Sequence, residues 1–254
     1  MSRITQKAMA SLKDRSFATP PRLPRNRNAI CELRNAESAL ETPEIVGTLP
    51  RPLVLLHGYA DLPERWDLLR DCLTRKTRDL PPVHWQFNLL RNTPIADLAA
   101  ELAAELEASG LDDVDIVAHS MGGLVGMHLA LLTRTKLRVR RLFALATPFG
   151  GTYAGRMGRG VGAPFSAQLK DLSPNSVLSQ SLLQAQRPAG LQTRSYWIQG
   201  DLTVPRRSVC RFGAIHRDYP ASHWNLPDMT HICMPHEARV VRDVLTDLCD
   251  SPQQ

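Results

Sequence analysis

Residues 116 to 123 read Ile-Val-Ala-His-Ser-Met-Gly-Gly, and the spacing around the central Ser120 is one that can make a hydroxyl a nucleophile. A serine attacks a carbonyl only when a neighbouring base takes its proton, so it must be lifted clear of the backbone. A sharp turn from strand to helix does this. It brings the positions two before and two after the serine so close together that only small side chains fit, and Ala118 and Gly122 meet that demand. Ala118 stands where the commonest form of the pattern has glycine. Val114, Ile116 and Val117 supply a hydrophobic strand ahead of the serine, and Gly122, Gly126 and Ala130 give the following helix a thin face. The plainer alternative is an ordinary strand-to-helix turn that contains a serine. A second chemical element lies 63 residues upstream, where an apolar run ends in His57, Gly58 and Tyr59. If Ser120 forms a tetrahedral oxyanion, two backbone N–H groups must hold it. Tyr59 and Met121, the residue after the serine, are the candidates.

The segments Leu55-Leu-His-Gly-Tyr59, Ala118-His-Ser-Met-Gly-Gly123 and Ala146-Thr-Pro-Phe-Gly-Gly-Thr152, at this spacing, resemble the bacterial lipase and esterase branch of the α/β-hydrolases. The resemblance covers roughly residues 52 to 248. It implies an α/β-hydrolase fold, a mostly parallel central sheet with helices on both faces and a small cap or lid. It also implies a triad in the chain order serine, acid, histidine. For the acid, Gly200-Asp-Leu-Thr-Val-Pro205 is similar to the family's Asp-x-x-Val-Pro signature after a strand, which points to Asp201, with Asp171 and Asp228 as alternatives. For the base, residues 224 to 231 resemble a last strand leading into the histidine loop and point to His231. His223 and His236 stay open as alternatives.

On this reading the chain is a carboxylic ester hydrolase working through an acyl-enzyme on Ser120, with no cofactor and no metal. The same triad would also serve an acyltransferase or an amide or thioester hydrolase. A catalytically silent hydrolase fold that binds a ligand is the reading from another class. Cys210, His216, His223, His231, Cys233 and His236 crowd one region, but their spacings match no zinc template.

The elements that must position these residues follow from pattern. Leu53 to Leu56 reads as a buried strand. Asp61 and Glu64 read as a capping box, with Pro63 opening a helix that carries Trp66, Leu69 and Leu73. Val83, Trp85, Phe87 and Leu89 alternate as a strand does. Thr93 caps a helix whose stripe is Ile95, Leu98, Ala99, Leu102 and Leu106, ended by Gly110. A strand over 114–117 leads to the serine, a helix over 122–132 follows it, and strands are expected over 141–146 and 195–199. A helix over 235–248 closes the chain. The long interval between the last two strands holds a cap at about 150–192, glycine-rich at its start, in which Leu178, Leu182 and Leu183 form a short apolar helix.

The 254 residues carry a net charge of +6, which looks like a nucleic-acid footprint until it is located. Arg3, Lys7, Lys13, Arg15, Arg22, Arg25 and Arg27 stand against Asp14 alone, and the rest of the chain is neutral. Residues 1–50 therefore read as a basic, flexible arm and 51–250 as the hydrolase domain. The expected partner is a small-molecule or lipid ester, with no nucleic acid and with transient contact of the arm with a membrane surface; the oligomeric state stays open. There is no apolar run of the roughly 18 residues a bilayer span needs and no secretory leader pattern. Five scattered cysteines suggest reduced thiols, so a cytoplasmic location is expected.

Overall fold

Among the described residues six strands, β1 (Leu53–Leu56), β2 (Val83–Trp85), β3 (Asp113–His119), β4 (Arg138–Leu145), β5 (Gln192–Ile198) and β6 (Ile215–Tyr219), form one sheet in the order β2-β1-β3-β4-β5-β6. Every neighbouring pair is parallel. The structure is a computed structural model that describes residues 49–59, 61–76, 83–85, 92–152, 166–212, 215–220 and 227–249, the side chains of 75, 76, 83–85 and 227–229 excepted. The basic arm lies outside the described residues except for its last two positions. So do Phe87 and Leu89 of the expected second strand, His223, and the glycine-rich 153–165.

The strands read as continuous apolar runs because both faces of the sheet are covered. Val54 and Leu56 of β1, Val114, Ile116 and Ala118 of β3, and Leu142 and Ala144 of β4 enter one core. That core also holds α2 (Ile95–Ala108) and α3 (Met121–Leu131). The intervening Leu53, Leu55, Val117, Phe143 and Leu145 enter a second core. There they meet Trp66, Leu69 and Leu73 from the segment that ends in α1 (Asp67–Lys76), and the apolar stripe of the last helix. Each fully buried leucine contributes about 1.5–3 kcal/mol, so a one-residue slip in β3 would lose contacts on both sides at once. Between β4 and β5 lie α4 (Ala167–Asp171) and α5 (Val177–Gln184). Leu178 and Leu182 of the expected cap helix belong to the first core, whereas Leu183 is exposed.

After β5 come a single turn, α6 (Arg206–Val209), then β6, α7 (Pro227–Cys233), a 3-10 turn at Met234–His236, and α8 (Ala238–Cys249). The buried Arg141 donates from Nη1 to the carbonyl of Asp247 at 2.9 Å and from Nη2 to that of Leu248 at 3.0 Å. It thereby satisfies carbonyls at the end of α8 that have no helical partner. Its Nη2 also meets Asp115 Oδ2 at 2.6 Å, so a buried charge in β4 is paired and pins the closing helix to the sheet.

Three local expectations are corrected. No capping box forms at Asp61: Leu62 occupies the cap position of the 3-10 turn at Pro63–Trp66 without a side-chain cap. The Asp61 carboxylate instead binds Arg65. Thr93 does not cap α2; Pro94 holds that position, and the amide of Ile95 donates to Asp171 Oδ2 at 2.9 Å from 76 residues away. Among the described residues the last strand is β6, and positions 224–226 of the stretch expected to hold a last strand lie outside them. The Ile-His-Arg-Asp-Tyr of β6 is an edge strand whose polar centre hides the alternation. Cys233 is disulfide-bonded, so the expectation of five reduced thiols does not hold. Among the described residues no helix is long and apolar enough to cross a membrane, and no cluster of His, Cys, Asp or Glu is arranged to hold a metal ion.

Candidate active site

Ser120 sits between β3 and α3 with φ 52° and ψ −122°, a backbone conformation that side-chain-bearing residues rarely adopt. Neighbours hold it there. Its amide donates to the carbonyl of Leu145 at the end of β4, at 2.9 Å, and its carbonyl accepts from the amide of Gly123 at 3.0 Å. Gly122 has no room for a side chain, but the nearest crowding atoms belong to the segment at Leu56 and His57 and not to Ala118. A Cβ added to Gly122 would lie 2.5 Å from the carbonyl oxygen of Leu56 and 2.6 Å from that of His57. Those are backbone atoms of the strand next door and cannot swing aside.

The structure brings Ser120, His231 and Asp201 together. His231 Nε2 is 3.0 Å from Ser120 Oγ, and its Nδ1 is 2.9 Å from Asp201 Oδ2. A carboxylate only accepts, so Nδ1 carries the hydrogen, and Nε2 presents a lone pair to the serine hydroxyl. The other oxygen of Asp201 accepts from the amides of Thr203 at 3.0 Å and Val204 at 2.8 Å, which fixes the carboxylate in one rotation. That turn is itself clamped: Thr152 Oγ1 donates to the carbonyl of Thr203, and Trp197 Nε1 donates to that of Val204 at 3.1 Å. Asp201 and His231 are buried, and Ser120 is half-buried, the one member of the three partly open to a substrate. His231 lies within the short helix α7 and not on a loop directly following a strand.

The alternatives fall elsewhere. Asp171 is the partner of the first amide of α2, with burial pushing its carboxyl pKa up. His236 is buried in the 3-10 turn after α7, its pKa pushed down to about 4 by burial and by the Arg65 guanidinium. The side chain of Asp228 and all of His223 are outside the described residues. For the oxyanion hole, Met121 is the first residue of α3, and its amide is among the four that a helix leaves unpaired. The loop carrying Tyr59 passes directly against Ser120, since a Cβ on Gly58 would stand 3.2 Å from Ser120 Cβ. The Tyr59 side chain is 41% exposed, so any role it has here falls to its backbone.

One group of residues escaped the sequence reading. Asp61 and Arg65, both buried, form a two-oxygen ion pair at 2.8–3.0 Å beside His119. Their i, i+4 spacing is a visible pairing signal. His216, by contrast, is engaged away from Ser120 and His231, with Asp218 Oδ1 at 2.7 Å and Cys210 Sγ at 3.0 Å from its Nε2.

A family model described as alpha/beta hydrolase fold matches residues 51–159. No curated protein matches the sequence. Among solved structures the chain is similar to the mature lipase BlEst2 of Bacillus licheniformis, at 16% identity and TM-score 0.58, with 83% of this chain and 95% of that one covered. It is similar to a gene product of Listeria innocua at 14% identity and TM-score 0.55, covering 76% and 92%. It is also similar to RedJ, a thioesterase of prodiginine biosynthesis from Streptomyces coelicolor, at 18% identity and TM-score 0.52, covering 81% and 94%. With a six-stranded parallel sheet among the described residues, helices on both faces and a sharp turn at Ser120 between β3 and α3, this chain has the α/β-hydrolase fold.

Proposed function

We propose that this protein is a serine hydrolase that cleaves carboxylic esters through an acyl-enzyme on Ser120. The observation that carries the proposal is the hydrogen-bonded line from Ser120 Oγ through His231 to Asp201, at 3.0 and 2.9 Å. In the first half-reaction His231 Nε2 takes the Ser120 proton as Oγ attacks the ester carbonyl. Asp201 keeps the ring in the required tautomer and stabilises the imidazolium. The N–H groups of Tyr59 and Met121 receive the developing oxyanion, each worth about 3–4 kcal/mol in reactions of this type. The imidazolium then gives its proton to the leaving alkoxide, and the alcohol departs. Water, deprotonated by the same imidazole, attacks the acyl-enzyme and regenerates Ser120. A thioester or an acceptor alcohol would enter the same two half-reactions.

The test is hydrolysis of p-nitrophenyl esters of graded acyl length by purified protein, with fluorophosphonate labelling mapped by mass spectrometry. The expected result is turnover abolished by Ser120→Ala and a single label on Ser120. Turnover that survives the substitution would refute the assignment. Competition with added alcohols and a thioester substrate distinguishes hydrolysis from transfer.

A further inference from the structure

The residue preceding the nucleophile is a buried histidine that the reaction above does not use. His119 Nε2 lies 3.0 Å from the backbone carbonyl of His231, a residue 112 positions away. A carbonyl only accepts, so this nitrogen carries the hydrogen. The two imidazole rings are 4.9 Å apart, tilted by 40°. On the far side His119 Nδ1 has no hydrogen-bond partner. Asp61 Oδ2 stands 3.7 Å away, an ion-pair distance but too long for a hydrogen bond. The Asp61 carboxylate is already occupied by Arg65 and by the amide of Leu62, at 3.0 Å. Gly58 closes the cage, its missing Cβ lying 3.2 Å from Nδ1. Three segments therefore meet on one ring: the loop after β1, the turn at Ser120, and the helix that carries His231.

A buried imidazole with a bare nitrogen is unfavourable unless its other contact offsets it. That other contact is made to the residue whose ring must meet Ser120. A serine-base pair works only within a few tenths of an ångström, and a shift of about 1 Å can cost 100-fold in rate.

We propose that His119 is a positioning residue for His231: its Nε2–H anchors the backbone carbonyl of the helical turn carrying the imidazole, while the Asp61–Arg65 pair walls the ring from behind. This inference rests on the serine-hydrolase reading, and the experiment separates the two.

His119→Gln retains an N–H at similar reach, His119→Leu removes it, and His119→Asn keeps an amide too short to reach the carbonyl. We expect the Leu and Asn variants to lose about 10- to 100-fold in kcat on a p-nitrophenyl ester, with KM unchanged and faster amide hydrogen exchange across residues 227–233. The Gln variant should recover most of both. Should the Leu variant not fold, the Gln–Asn comparison carries the same contrast in two polar side chains. Equal kcat in the Gln and Asn variants, or unchanged exchange in α7, overturns the inference. Hydrogen exchange decides the anchoring even if the wild-type protein hydrolyses no ester, an outcome that would sink the hydrolase reading alone.

Discussion

Replacing Asp201 by Asn puts the proposed chemistry under the most direct strain, because the two carboxylate oxygens have different work. Oδ1 accepts from two backbone amides, at 3.0 and 2.8 Å, and Oδ2 accepts from His231 Nδ1 at 2.9 Å. Asparagine can keep the two amide contacts only by turning its NH2 group toward His231. A donor then faces Nδ1, which must become the acceptor, and the ring hydrogen moves to Nε2. There it points at Ser120 Oγ, so the ring donates where it should accept a proton. The opposite amide rotation places NH2 against two N–H donors and leaves buried groups unsatisfied, at about 1–3 kcal/mol each. The substitution is nearly isosteric, so the fold should survive. The loss is expected in kcat, about 10⁴-fold or roughly 5 kcal/mol in transition-state stabilisation, as for a triad forced into the wrong tautomer. KM should be nearly unchanged, since Asp201 is 4% exposed and lies behind the histidine. Steady-state kinetics on a p-nitrophenyl ester, with thermal unfolding as a control on folding, measures both. An Asn variant within tenfold of the wild-type kcat would refute the assignment of Asp201 as the carboxylate behind the base.

Two further outcomes concern stability. Ser120 holds φ 52° and ψ −122° at a strain of about 1–3 kcal/mol for a residue with a side chain, so Ser120→Gly should be inactive yet more stable than Ser120→Ala by about 1 kcal/mol. A Gly variant that melts below the Ala variant would show that the turn is unstrained. Burial lowers the pKa of both His119 and His236 to about 4 from the ordinary 6.5, with Asp61, Arg65 and the His231 ring as the charged or titratable neighbours of His119. Between those values the unfolded chain binds protons that the folded one refuses, so stability should fall as pH drops from about 6.5 to 4, by about 1.4 kcal/mol per pH unit for each group. Denaturant unfolding across this range should lose slope in His236→Gln. An unchanged slope would mean that His236 is accessible to protons in the folded state.

Part of the site could be read along the chain. The sharp turn at Ser120 is legible in Ala118-His-Ser-Met-Gly122, although the atoms that exclude a side chain at Gly122 are the carbonyls of Leu56 and His57, from a distant segment. The continuous apolar runs in β1, β3 and β4 signalled a sheet covered on both faces, and the turn after β5 matched the family's Asp-x-x-Val-Pro pattern at Asp201. The acid and the histidine were legible only through the resemblance, which implies the chain order serine, acid, histidine and points to Asp201 and His231.

What the order of strands decided is which of these residues meet. Ser120 lies 111 residues from His231, and His231 lies 30 from Asp201. They converge because β3 and β5 both end at the same edge of a parallel sheet, with α7 folded back over it. The same long-range packing took Asp171 from the list of acids to the first turn of α2, and turned Asp61 from an expected cap into the partner of Arg65. It also set a buried histidine against the backbone of the base. Hydrogen-bond partners chosen across tens of residues depend on which groups the core leaves without water, and spacing along the chain does not encode that.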